Sequence, residues 1–223
     1  MKEIVLDTET TGISVKEGHR IVEIGCIEID NLIPTKNRFH CYLNPERKVS
    51  EDAFKVHGYT DEFLSNKYKF SDISEEFLTF IKDKRLIIHN ADFDIAHLNN
   101  ELLRSGKNKI DNEIVDTLIL AREKFPGSQA SLDALCKRFK IDNSRRQKHS
   151  ALLDCELLAK VYIELMEKKE PSLEFNINND HQLKKNIEVI KNRKQIIQQI
   201  SSEEKDLYQK FLKKDLPKSL KLN

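Results

Sequence analysis

The 223 residues, 39% hydrophobic and 34% charged, suffice for one well-buried catalytic core with an appendage and fall short of two full enzyme domains. That balance belongs to a globular chain with a heavily solvated surface and excludes a wholly disordered or membrane-embedded one. A formal net charge of +1 gives no global sign of a nucleic-acid partner, although a slight acidic excess over residues 1–169 meets a slight basic one after them.

Met1-Lys2-Glu3 runs straight into Ile4-Val5-Leu6 with no secretory cleavage pattern, so the expected location is cytoplasmic. Ile4-Val5-Leu6 reads as a buried central strand that stops at a polar turn, Thr8 to Gly12. The alternation in Arg20 to Asp30, with Ile21, Glu23, Gly25, Ile27 and Ile29 on one face, predicts a second strand. Arg38 to Leu43 predicts a third that completes a meander. Cys26, Cys41, Cys136 and Cys155 are widely spaced and read as reduced small hydrophobes without chemistry.

After the meander the period changes. Helices are expected at Asp61–Asn66 and Ser71–Asp83, a strand at Leu86–Ile88, a helix from about Asp92 to Arg104, and a strand at Ile114–Val115. Three helices follow, near Asp116–Lys124, Ser131–Phe139 and Ser150–Lys169. A meander followed by alternating helix and strand is the order of an α/β, ribonuclease H-like mixed sheet flanked by helices. The Lys, Asn, Gln and Ile bias after Ser172 marks a linker, which divides the chain into a core (1–169), a linker (170–200) and a C-terminal segment (201–223).

Acids stand against this hydrophobic grain at three places. Asp7 and Glu9 are two apart at a strand end and so share a face. Two anions that close need a cation, unless the strand end is simply solvated. Between Asp92 and Asp94, helical spacing puts Asp94 on the inward stripe with Leu98 and Leu102, while Asp92 suits the positive end of the helix dipole. Asp154 shares its stripe with Leu158, Val161 and Leu165. Acids aimed inward beside apolar residues argue for a shared metal site. His149 precedes Asp154 by five and falls on the loop before the helix, where it is either a mobile base or an ordinary surface histidine.

Four carboxylates and a histidine, with no thiolate, select hard cations, Mg²⁺ or Mn²⁺. Two such ions balance four negative charges and can clamp the attacking and departing oxygens of a phosphodiester, with His149 taking the proton of the attacking water.

Asp7-Thr8-Glu9-Thr10-Thr11-Gly12, His89-Asn90-Ala91-Asp92-Phe93-Asp94 and His149-Ser150-Ala151-Leu152-Leu153-Asp154 resemble the three exonuclease motifs of the histidine-bearing DEDD branch. Ala53 to Gly58, Val115 to Leu118 and the stretch from Ser131 to Ser144 are similar to the proofreading epsilon subunits of bacterial DNA polymerase III in particular. This resemblance implies a 3′-to-5′ exonuclease acting on a single-stranded or frayed DNA end. Asp7, Glu9, Asp94 and Asp154 would be the metal-binding acids, with two Mg²⁺ or Mn²⁺ ions, and His149 the general base. It also implies a terminal-nucleotide pocket, to which Asp7, Glu9 and Asp154 contribute together with Thr8, Thr11, Gly12, Asp52 and His57. Asp116 lies outside this quartet and reads as a helix cap.

In the tail, Glu170-Pro171-Ser172-Leu173-Glu174-Phe175 sits where such subunits carry a sliding-clamp peptide, with Glu170 in place of the usual opening glutamine. Ser201 and Glu204 form a capping-box pattern before an apolar stripe of Leu207, Phe211 and Leu212. By resemblance the partner of that stripe is the polymerase alpha subunit, and a small theta-like subunit is a further partner of such proteins; otherwise the helix packs on its own core or stays disordered. The rival readings are a free-standing ribonuclease T-like or oligoribonuclease-like exonuclease, which needs no striped tail helix, and a dead scaffold. A dead scaffold would be expected to lack an acid or the histidine, and all five are present.

Overall fold

The computed structural model describes residues 2–166 and 201–215. They fall in two compact units, Met1–Glu170 and Pro171–Asn223.

The first unit is built on a five-stranded sheet: β1 (Lys2–Thr10), β2 (Ile21–Asp30), β3 (Ile33–Tyr42), β4 (Arg85–Ile88) and β5 (Ile114–Asp116). The order is β3-β2-β1-β4-β5, with β1, β2 and β3 antiparallel and β4 and β5 parallel to β1. Its helices are α1 (Glu51–His57), α2 (Asp61–Ser65), α3 (Phe70–Ile81), α4 (Ala91–Arg104), α5 (Thr117–Lys124), α6 (Leu132–Phe139) and α7 (Ala151–Met166). Alternate residues of β1 enter different cores. Ile4 and Leu6 pack with Phe77, Leu98 and Leu102 from α3 and α4, and Val5 packs with Leu135, Leu158 and Val161 from α6 and α7. This three-layer mixed sheet is the ribonuclease H-like architecture expected.

Three local expectations change. Strand β2 is not amphipathic: every residue from Ile21 to Ile29 is buried, because helices cover both faces of this near-central strand. Glu23 and Glu28 are therefore interior acids. β3 begins earlier than Arg38, since its first half runs along the sheet edge with Thr35, Lys36 and Asn37 and carries no apolar alternation. Helix α1 is added to the expected elements: Ser50 caps it by accepting from Ala53 N (3.2 Å) and Gly58 ends it at φ 79°. The four cysteines are free, and all but Cys41 are buried.

The second unit contributes α8 (Ser202–Asp215). The capping box is formed: Ser201 Oγ accepts from Glu204 N at 3.2 Å and Glu204 Oε2 from Ser201 N at 3.1 Å. Leu207, Tyr208 and Phe211 are exposed, and the side chain of Leu212 lies outside the described residues. So does the segment 167–200, with the end of the Ser150–Lys169 helix, the linker and Glu170 to Phe175. No helix among the described residues is long and apolar enough to cross a membrane.

Candidate active site

Three elements deliver the acids. Asp7 and Glu9 come from the end of β1, Asp94 from the first turn of α4 and Asp154 from the first turn of α7. With His149 they line one cleft of about 810 Å³, together with Thr8, Arg122 and Arg146. Asp94 is 3% exposed and accepts a hydrogen bond from Thr8 Oγ1 at 2.7 Å, whereas Asp92 is exposed.

Local chemistry fixes each helix. Asp116 does more than cap α5: its carboxylate accepts from Leu118 N at 2.8 Å and also from Asn90 N and Ala91 N at 3.1 and 2.9 Å, which anchors the start of α4. Gly25, opposite Asp7 in the sheet, lets α7 lie directly on β2; a Cβ there would come within 2.5 Å of the Ala151 backbone. Glu23, with no exposed surface, accepts from Ala151 N (2.9 Å), Ser150 Oγ (3.0 Å), Tyr59 Oη (2.6 Å) and His40 Nε2 (2.8 Å). It thereby ties β2, β3 and the loop after α1 to the residues beside His149. Nothing in the alternation of β2 singled out Glu23 or Gly25.

The acids are electrostatically unequal. Burial, and then repulsion from Asp94, Glu9 and Asp154, raise the Asp7 carboxyl well above its ordinary range. Glu9 is pushed up to about 8, again by burial first and then by neighbouring acids. Asp94 is raised mainly by burial, which outweighs the hydrogen bonds from Thr8. Asp154 goes the other way: burial would raise it, but His149 and Arg146 together bring it below the usual value. Arg146, which the sequence did not single out, clasps both Asp154 oxygens at 2.5 and 2.8 Å.

His149 sits on the loop before α7 as the spacing requires, 44% exposed, with Nδ1 4.0 Å from Glu9 Oε1 and 3.4 Å from Asp154 Oδ2. Ligand atoms of Glu9, His149 and Asp154 lie within 4.8 Å of one another. Carboxylates disfavoured as anions first by burial and then by neighbouring acids, offering hard oxygens and one imidazole, suit a divalent cation.

A second cavity adjoins the first and shares Thr8, Glu9 and Phe93 with it; Gly12, Ile13, Asp52 and His57 also line it. His57 is buried, and both its ring nitrogens are engaged. Nδ1 accepts from Tyr59 N at 3.0 Å, so Nε2 carries the proton that faces Thr10 O at 3.3 Å. Asp52 is at the rim, paired with Lys55. Thr11 corrects the expectation that it lines the pocket: it is fully buried, and its hydroxyl binds His19 Nδ1 (3.0 Å) and Arg20 N (3.0 Å), so it supports the loop from behind.

The family model described as "Exonuclease" matches residues 4–162, which contain all four acids and the sheet apart from the first two residues of β1. Fold and site thus define an exonuclease of ribonuclease H-like architecture, dependent on divalent metal. A solved structure of Exonuclease X in complex with 5′-overhanging duplex DNA is 26% identical, with a TM-score of 0.58, covering 73% of this chain and 90% of its own. The DNA polymerase III subunit epsilon of Rickettsia typhi is 46% identical over 224 residues, 97% of each chain. That of Rickettsia felis is 54% identical over 169 residues, 74% of each chain. The chain belongs to the DNA polymerase III epsilon-subunit family and is a proofreading 3′-to-5′ exonuclease that hydrolyses DNA. The match to the R. typhi protein takes in the tail, which favours this family over a free-standing ribonuclease.

Proposed function

We propose that Asp7, Glu9, Asp94 and Asp154 hold two Mg²⁺ or Mn²⁺ ions at the 3′ end of a DNA strand, and that His149 is the general base. The observation that carries this reading is the convergence of four acids from β1, α4 and α7 in one cleft, three of them disfavoured as anions. Bound divalent ions supply Lewis-acid activation of the phosphodiester and of the attacking water. The protein does the positioning. Asp116 and Glu23 fix the helices that bear Asp94 and Asp154, and Thr8 orients Asp94. His149, half exposed on its loop, can reach a water and withdraw. The second cavity, with Thr8, Glu9, Gly12, Asp52 and His57, accommodates the terminal nucleotide, and its continuity with the acids sets the scissile phosphate beside them.

Within the polymerase III assembly this activity removes misincorporated nucleotides. The exposed Leu207, Tyr208 and Phe211 of α8 dock on the polymerase alpha subunit, the region around Glu170 is the place for clamp contact, and a small theta-like subunit is a further partner. The complex works in the cytoplasm.

The test is degradation of 5′-labelled single-stranded DNA and RNA with Mg²⁺, Mn²⁺ or EDTA. Metal-dependent shortening of DNA from its 3′ end, abolished in Asp7→Ala and strongly reduced in His149→Ala, is expected. Equal activity in EDTA, or full activity in Asp7→Ala, would overturn the assignment.

A further inference from the structure

One guanidinium stands where two of these groups must act. Arg146 lies on the loop before α7, its side chain only 8% exposed. Nε and Nη2 donate fork-on-fork to Oδ1 and Oδ2 of Asp154 at 2.5 and 2.8 Å. Nη2 also reaches Nδ1 of His149 at 2.9 Å, and Nη1 reaches Asp133 Oδ2 at 2.8 Å. A guanidinium has no acceptor, so when the His149 ring is neutral, as a base must be, this contact takes the Nδ1 lone pair and leaves the proton on Nε2. Held so, His149 has no lone pair left for the proton of a water, and neither Asp154 oxygen is clear of the fork.

We propose that Arg146 is a latch on the active site: its guanidinium passes from Asp154 to a backbone phosphate of bound DNA, freeing Asp154 for a divalent ion and the His149 lone pair for a proton. This rests on the four-acid, one-histidine reading above. The exchange is chemically matched, because a phosphate presents the planar fork with the same paired oxygens as a carboxylate. It also leaves no buried charge unpaired, since one anion replaces another on the arginine while a cation replaces the arginine on Asp154. Asp133, at the start of α6 and 57% exposed, grips the outer edge of the guanidinium and supplies a pivot at the rim of the cleft. Arg122, Ser128 and Gln129 line that side of the cavity and suit the path of an anionic strand.

The experiment titrates Mn²⁺ into the full chain without DNA, reading free Mn²⁺ by electron paramagnetic resonance, for wild type, Arg146→Gln, Arg146→Lys and Asp7→Asn. Arg146→Gln is expected to bind Mn²⁺ about tenfold more tightly than wild type, as the competing cation is gone, with Arg146→Lys between them. At saturating Mn²⁺, Arg146→Gln should raise KM for a single-stranded oligodeoxynucleotide by about tenfold, with a smaller change in kcat. Mn²⁺ binding that is unchanged or weaker in the two arginine variants overturns the latch, and Arg146→Lys decides the matter if Arg146→Gln does not fold. Failure of the underlying reading looks different: wild type then shows no saturable Mn²⁺ site, or one that Asp7→Asn leaves intact, and the latch falls with it.

Discussion

Replacing Glu23 separates a structural carboxylate from the catalytic ones. Each of its oxygens accepts two hydrogen bonds: Oε1 from His40 and Ser150, Oε2 from Tyr59 and Ala151 N. Hydrogen bonds to a charged acceptor contribute about 1.5–3 kcal/mol each, but they share one group and do not add. Glu23→Ala removes all four, leaves a cavity and strands the Ala151 N–H at the start of α7, so the expected cost is about 3–5 kcal/mol. Glu23→Gln keeps the shape. Its amide oxygen can serve Tyr59 and Ala151 N, while Ser150 and His40 can both turn to accept from its NH₂, for a cost of about 1 kcal/mol. Burial opposes the Glu23 charge, but the hydrogen bonds from His40, Tyr59, Ala151 N and Ser150 outweigh it, so its pKa is lowered. A lowered folded-state pKa gives stability that is present above the unfolded value and lost as pH falls through the folded one. The gap between wild type and Glu23→Gln should therefore close in acid. Urea denaturation at several pH values in EDTA measures this; Glu23→Ala within about 1 kcal/mol of wild type, or Gln as damaging as Ala, refutes the reasoning.

Gly25→Ala should lose about 2–3 kcal/mol and most nuclease activity, because only a shift of α7, which bears Asp154, relieves a 2.5 Å approach to backbone; thermal melts and turnover read the two effects. The raised pKa values of Asp7, Glu9 and Asp94 mean that the folded chain holds their protons more tightly than the unfolded one. In EDTA, stability should then fall as pH climbs from the ordinary carboxylate range towards about 8, by roughly 5–10 °C in Tm, and Mn²⁺ should recover it at pH 8; a flat profile in EDTA counts against the buried-acid account. Leu207→Asp with Phe211→Asp should abolish capture of the polymerase alpha subunit in a pull-down and leave nuclease activity unchanged; retained capture would remove α8 as the docking element.

Periodicity was enough to find groups that break a pattern and too little to find groups that complete one. Asp94 and Asp154 are legible because a carboxylate on the inward stripe of an amphipathic helix violates its apolar face, and the same rule excludes the exposed Asp92. Glu23 sits on a strand recognised by its alternation, where a single acid among the isoleucines of one face is unremarked. It became an interior group only because helices cover both faces of β2, a fact of long-range packing. Arg146 is harder still, since Arg145 and Arg146 on a polar loop look like surface charge until the fold sets one of them against Asp154. Thr11 fails in the opposite sense. It stands among residues that line the cavity, yet the turn rotates its hydroxyl towards His19. These cases share a cause, because in each the side chain's role is decided by a partner distant in sequence or by the local path of a loop, and neither leaves a period to read. Compensation follows the same logic in the site. Of its four acids only Asp154 is held below its usual pKa, by His149 and by Arg146, and the guanidinium that clasps both its oxygens carries its charge on the protein itself. The chain is therefore poised to take up further positive charge at Asp7, Glu9 and Asp94 without contest, and to take it up at Asp154 only by moving an arginine.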